Sequence, residues 1–332
     1  MDRTWLAGTV EDALEPSLEI VDPHHHLWPD RVGSRRGPYD VADLRADTGG
    51  GHDIVETVFI ECMAAYRTDG PEHLRCVGET EWVAARAAES APTPGARITG
   101  IVSRASLSLG TAVTEVLDAH IAAANGLFRG IRDAGAWDAD ERIPRTHTNP
   151  VPGLYGLAPF RAGMRVLAAK GLSFEAWQYH TQLDDVAALA RACPDVTIVL
   201  NHIGAPIGTG PYAGRRDEVL AVWRPGMVDV ASCPNVVLKV GGIGMSRYGV
   251  GFETWERPPT SDQLLAVWGD DLRFCIDTFG PSRCMFESNF PVDAESCSYT
   301  VRWNAFKKVS AGYSPAERTA LFSETARRVY RL

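Results

Sequence analysis

The chain has 332 residues, of which 45% are hydrophobic, and it carries a formal net charge of −9. That balance favours solubility and excludes nucleic-acid phosphate and anionic membrane as partners, without excluding a local basic pocket for a small anion. No apolar run approaches the length of a membrane span, and the acidic residues 2–15 are unlike a secretory leader.

Short Val- and Ile-rich runs recur at 18–21, 54–60, 97–102, 127–131, 172–177, 196–200, 236–240 and 283–286. Segments of helical periodicity separate them. Continuous apolar runs alternating with helices predict parallel strands buried on both faces, hence an α/β chain built as a (β/α)8 barrel. Residues 111–125 set Val113, Val116, Leu117, Ile121 and Ala124 on one face, with Gly126 as a left-handed cap. Residues 183–193 repeat the pattern. Ser261 is expected to cap a helix carrying Leu264, Trp268, Leu272 and Ile276, and Ser314-Pro315 with Glu317 opens the last helix. The whole chain, 1–332, is expected to be one domain with residues 1–17 as an N-terminal extension. The seven cysteines form no CxxC pair, which fits buried thiols in a reducing cytoplasm.

The segments at 133–159, 204–215 and 241–260 are long, rich in Gly or Pro, and each follows a strand. In a barrel they fall on the C-terminal face, where catalytic loops lie. The first strand ends Asp22-Pro23-His24-His25-His26. In extended chain, residues two apart share a face, so His24 and His26 converge while His25 points away. Two such imidazoles form half of a metal site or bind an oxyanion; alone, the pattern also fits a surface accident. His180 follows the fifth run and His202 the sixth, so three strand ends carry histidine. His120 reads as structural, and His52, His73 and His147 have no comparable context. Arg129 and Arg132 flank Gly130 at the fourth run and suit a carboxylate or lactone oxygen; a salt bridge to Asp133 or Glu61 is the alternative. Glu61 ends the second strand and could orient a histidine. Arg247 and Tyr248, after the seventh, are candidate substrate walls. The Gly241-Gly242-Ile243-Gly244 stretch lacks the Lys-Ser or Lys-Thr of a phosphate loop, so close backbone approach explains it better.

The Asp-Pro-His-His-His-Leu-Trp opening, Val58-Phe59-Ile60-Glu61-Cys62, Phe128-Arg129-Gly130-Ile131-Arg132, Leu200-Asn201-His202-Ile203-Gly204-Ala205-Pro206 and the 284–293 segment occur in that order. Together they resemble the amidohydrolase superfamily, in its amidohydrolase-related branch with the lactonases of sugar lactones and 2-pyrone-4,6-dicarboxylate. The resemblance spans residues 18–332 and implies a distorted TIM barrel. It also implies a metal site of His24, His26, His180 and His202, with an acid on strand eight that binds metal and shuttles a proton. Asn289 stands where that acid is expected, and an amide neither accepts a proton near neutral pH nor replaces an anionic ligand well. A divalent zinc or manganese ion and a metal-independent arrangement both stay open. The base is expected at Glu287, one layer deeper on the same face, or at Asp293, swinging to the mouth; Asp293 is the favoured one. The function implied is hydrolysis of a lactone or related carbonyl compound, with His24, His26, His202, Asn289 and Asp293 catalytic. The alternatives are a non-oxidative decarboxylase or C–C hydrolase, and a non-catalytic ligand-binding relative. The partners left are a small molecule, anionic ones included, and further copies of the chain as a homo-oligomer.

Overall fold

The computed structural model describes residues 2–29 and 37–332. All eight expected strands form: β1 (Glu19–His25), β2 (Asp53–Ile60), β3 (Arg97–Ser103), β4 (Phe128–Arg132), β5 (Ser173–Ala176), β6 (Ile198–Leu200), β7 (Val236–Gly241) and β8 (Cys284–Glu287). They pair in parallel in strict chain order. Helices on the outside cover each strand's outer face, which is why a strand such as β7 is buried at every residue. Closure between β8 and β1 uses few bonds: Asn289 N–H donates to His24 O (2.9 Å) and His26 N–H to Phe290 O (2.8 Å). Asp22 pins the same seam, accepting from the Ser288 amide (3.0 Å), the Ser288 hydroxyl (2.5 Å) and Tyr299 Oη (2.9 Å).

The helix signals hold with one shift at a cap and one misplaced residue: Ile121, expected on the buried face, is exposed, its place on the stripe taken by His120. Val113–Ala123 buries Val113, Val116, Leu117 and His120, one stripe at helical spacing. The helix Ser261–Phe279 is capped by Thr260, whose hydroxyl accepts from Gln263 N–H while Gln263 reaches back. Ser261 was the expected cap, but its amide and hydroxyl both donate to Glu11 (2.7 Å each), tying the N-terminal segment to the barrel. All seven cysteines are buried. Among the described residues, no helix is long and apolar enough to cross a membrane.

Inside the barrel, Val21, Val58, Ile60, Val102, Val199, Val237 and Met285 form an apolar floor, sealed by Ala326, Val329 and Tyr330 of the last helix. Because strand residues two apart share a face, the next inward positions after Val237 and Met285 are Lys239 and Glu287. A charged layer therefore rests on the apolar floor and carries the mouth above it.

Candidate active site

The histidines of β1 behave as alternation requires. His24 and His26 lie with ring centroids 5.0 Å apart, and His24 and His202 4.8 Å apart. His25 turns outward onto Phe59. His202 follows β6 with φ 54°, and Ile203 and Ala205 are also left-handed. Such a run costs about 1–3 kcal/mol per residue and persists only where surroundings hold it. Here Trp223 Nε1 donates to Ile203 O (2.7 Å) and the His180 amide to Ala205 O (3.0 Å).

Glu287, fully buried, joins the two histidines. Its Oε1 accepts from the His202 amide (3.1 Å) and lies 2.7 Å from His202 Nδ1. Its Oε2 lies 2.7 Å from His24 Nδ1 at an angle that makes no hydrogen bond, so this buried oxygen is left unsatisfied. A carboxylate on Nδ1 fixes the His202 tautomer and leaves Nε2 as acceptor, while the ring lines the mouth. His26 Nδ1 faces the Ile60 carbonyl at 2.8 Å, so that nitrogen carries the proton and Nε2 presents a lone pair. Nε2 faces Asn289 Oδ1 at 3.3 Å. The amide cannot turn round, because Asn289 Nδ2 donates to Asp293 Oδ1 (2.7 Å). Burial, then Arg132, holds the His26 imidazole well below its ordinary range. Burial, then Lys239, does the same for His24.

Two buried cations border His24. Lys239 Nζ lies 3.3 Å from its Nδ1 and donates to Glu175 Oε2 (2.9 Å). Glu175 also accepts from Asn201 Nδ2 and Tyr330 Oη. Arg132 NH1 lies 3.5 Å from His24 Nε2, while Arg132 Nε and NH2 donate to the Glu61 side chain (2.7 Å) and carbonyl (2.6 Å). His147, from the loop after β4, meets the other Glu61 oxygen at 2.9 Å. Burial alone would raise the Glu61 carboxyl, but His147 and Arg132 carry it below the usual range. The mouth is a cleft walled by Trp28, Trp177, Arg247 and Ser246, with His26, His202 and Asn289 at its base. Arg247 lies over the Trp177 ring (5.3 Å) and donates to Tyr179 Oη (3.1 Å).

Four expected residues are placed elsewhere. Arg129 sits at the opposite end of β4, donating to Gly126 O and Thr99 O; three residues from Arg132, it must face the other side of the strand. His180 opens a short turn after β5 and packs on Tyr212, so Trp177 takes the strand-five place at the mouth. Tyr248 is buried against Trp268, beside the cleft rather than in it. Asp293 does not swing to the mouth. It is fully buried, accepting from the Gly244 amide (2.8 Å) and Asn289 and pairing with Arg302 at 3.1 Å. Its oxygens are committed to holding Asn289. Burial outweighs Arg302 and raises its carboxyl above the usual range. In turn, His147, Trp177, Lys239 and Glu175 belong to the site without having been read from the sequence. Lys239, a charge inside the run Val236-Val237-Leu238-Lys239-Val240, was the detectable one.

The donor set fits a divalent cation. Ligand atoms of His24, His202 and Glu287 lie within 4.8 Å of one another, Glu287 Oε2 is an orphaned buried anion, and two lone pairs face each other at His26 and Asn289.

Burial depresses the imidazoles of His24, His25, His26, His120 and His180. Unfolded, each would take a proton near pH 6.5, so their contribution is full above about 6.5 and lost as pH falls. Asp22 and Asp133, pushed up by burial to about 6, and Glu79, to about 8, work the other way. Asp47, Asp185 and Asp293 are raised as well, but over this window each histidine exchanges nearly a whole proton and most of these acids only part of one, so the histidines prevail. Metal-stripped protein is therefore expected to lose stability from about pH 6.5 to 5, at up to ~3 kcal/mol per pH unit. Urea midpoints at the two pH values check this; a midpoint that rises on acidification contradicts it.

The chain belongs to the amidohydrolase family, whose sequence profile matches residues 21–332. It is 31% identical over 334 residues to the protein y4mH of Sinorhizobium fredii, covering 95% of this chain and 99% of the relative. The L-fucono-1,5-lactonase of Burkholderia multivorans is 33% identical over 181 residues, 53% of this chain and 56% of the lactonase. An amidohydrolase of Burkholderia multivorans solved with bound zinc superimposes with a TM-score of 0.73 at 23% identity, covering 94% of this chain and 99% of that one.

Proposed function

We propose that this amidohydrolase opens a small cyclic ester, a lactone bearing an anionic group, by attack of water on the carbonyl. The observation that carries the reading is the His202–Glu287 pair, 2.7 Å apart at the base of an arginine- and tryptophan-walled cleft. The partial likeness to a lactonase supports the choice of a cyclic ester. His202 Nε2 takes a proton from water as its oxygen bonds to the carbonyl carbon, and Glu287 stabilises the imidazolium. Arg132 NH1, the guanidinium nitrogen not held by Glu61, faces the oxyanion. As the ring C–O bond breaks, His202 returns the proton to the leaving alkoxide, and a hydroxy acid is released. Arg247 forms no ion pair among the described residues, and stacked on Trp177 it suits a substrate carboxylate. A divalent ion at the His24–His202–Glu287 cluster would supply Lewis-acid polarisation of the carbonyl, with His202 then a ligand in place of the base.

The test is a panel of five- and six-membered lactones, with and without a carboxylate, followed by proton release. Ring opening with preference for the anionic members is expected, and Arg247→Ala should remove that preference. Carbon dioxide release from aromatic acids, or inertness across the panel, would overturn the reading.

A further inference from the structure

The charged layer beneath the mouth contains a cation that the proposed hydrolysis does not use. Lys239 is fully buried, and its ammonium stands between Glu175 Oε2 (2.9 Å) and His24 Nδ1 (3.3 Å). Of the two neutral tautomers of His24, the one with its proton on Nε2 leaves an Nδ1 lone pair that the ammonium can meet. The same nitrogen lies 2.7 Å from the unsatisfied Glu287 Oε2. In that tautomer two electron-rich atoms at that separation require positive charge nearby, and of the two cations that border His24, Lys239 is the one at this nitrogen. Glu175 cannot release it easily, being held in turn by Asn201 and by Tyr330 of the last helix. The strand order fixes all of this, since β1, β5 and β7 point these side chains at one another across the barrel.

We propose that Lys239 is a resident cation of this site, occupying His24 Nδ1 and thereby weakening the hold of the His24–His202–Glu287 cluster on a divalent ion. A metal ligated by that cluster would sit within a few ångströms of a fixed ammonium, in a water-poor interior where like charges repel strongly. The same ammonium holds the His24 ring in place from below, as a positioning residue. The proposal rests on the reading of this mouth as a metal-competent hydrolase site, but its test needs no substrate, so the two can fail separately.

The experiment is competition for zinc between purified full-length protein and a chromophoric chelator, at fixed pH and ionic strength. Lys239→Met alone would leave Glu175 buried and uncompensated. The informative variant is therefore Lys239→Met with Glu175→Gln, which removes both charges and keeps the side-chain sizes. Zinc binding at least tenfold tighter than wild type is expected. Where that variant does not fold, Lys239→Gln with Glu175→Gln, whose amides can hydrogen-bond to each other, carries the same expectation. Unchanged or weaker zinc binding in the folded variant would overturn the proposal.

Discussion

Replacing His202 by alanine is expected to lower turnover by about three orders of magnitude, and Glu287→Gln by about two. Among the described residues, the imidazole is the one base at the cleft floor hydrogen-bonded to a carboxylate through Nδ1, at 2.7 Å. A glutamine there can turn its NH2 group towards Nδ1, which selects the tautomer that buries the lone pair and points N–H at the substrate. Because Glu287 also accepts from the His202 amide, its loss loosens the ring as well as its charge. The effect should fall on kcat with KM little changed, since neither group is the proposed anchor for the substrate anion. Asp293→Asn makes the contrast. It breaks a buried ion pair with Arg302 and costs about 3–5 kcal/mol of stability, while the fraction that stays folded retains most of its turnover. Kinetics and thermal melts on the three variants check this. If Asp293→Asn abolished turnover in well-folded protein while Glu287→Gln turned over normally, the base would have been misassigned.

The second large effect is expected at Gly242. Its φ is +64°, and a Cβ there would lie 2.0 Å from His202 Nδ1 and 2.4 Å from Cγ. Gly242→Ala must therefore both strain the backbone and drive the ring off Glu287, at about 2–4 kcal/mol of stability and at least about a hundredfold in turnover. Gly156→Ala, whose methyl meets nothing within 4 Å, is the control and should be neutral. Thermal melts and assays side by side decide it. An active Gly242→Ala protein with wild-type stability would mean that the loop after β7 is not packed on His202. The glycine-rich stretch that superficially suggests a phosphate loop is thus explained by close approach: Gly241 lies against Glu287, and Gly244 against Asp293 and Arg302.

The architecture was legible because a parallel barrel writes each strand as an uninterrupted apolar run, and all eight runs became strands. The β1 histidines were legible because alternation is a local property. What local pattern does not encode is where a chain goes once it leaves a strand. Asp293 was expected at the mouth, yet residues Val292–Glu295 turn into a short helix that buries it against Arg302, a partner from the helix Tyr299–Val309. His180 was expected to join the cluster, but β5 ends at Ala176 and the next residues turn the ring onto Tyr212. His147 lies in a loop without periodicity, so nothing in its neighbourhood announces Glu61, 86 positions away. Arg129 could have been set aside by parity alone, since residues three apart on a strand face opposite sides.

The central claim is that water is delivered to a lactone carbonyl by His202, backed by Glu287. Its most direct test is one turnover in water enriched in the heavy oxygen isotope, with the product's label located by mass spectrometry. One heavy oxygen in the new carboxylate is predicted, appearing about a hundredfold more slowly in Glu287→Gln. Label on the hydroxyl carbon, or an equal rate in the variant, would contradict the account.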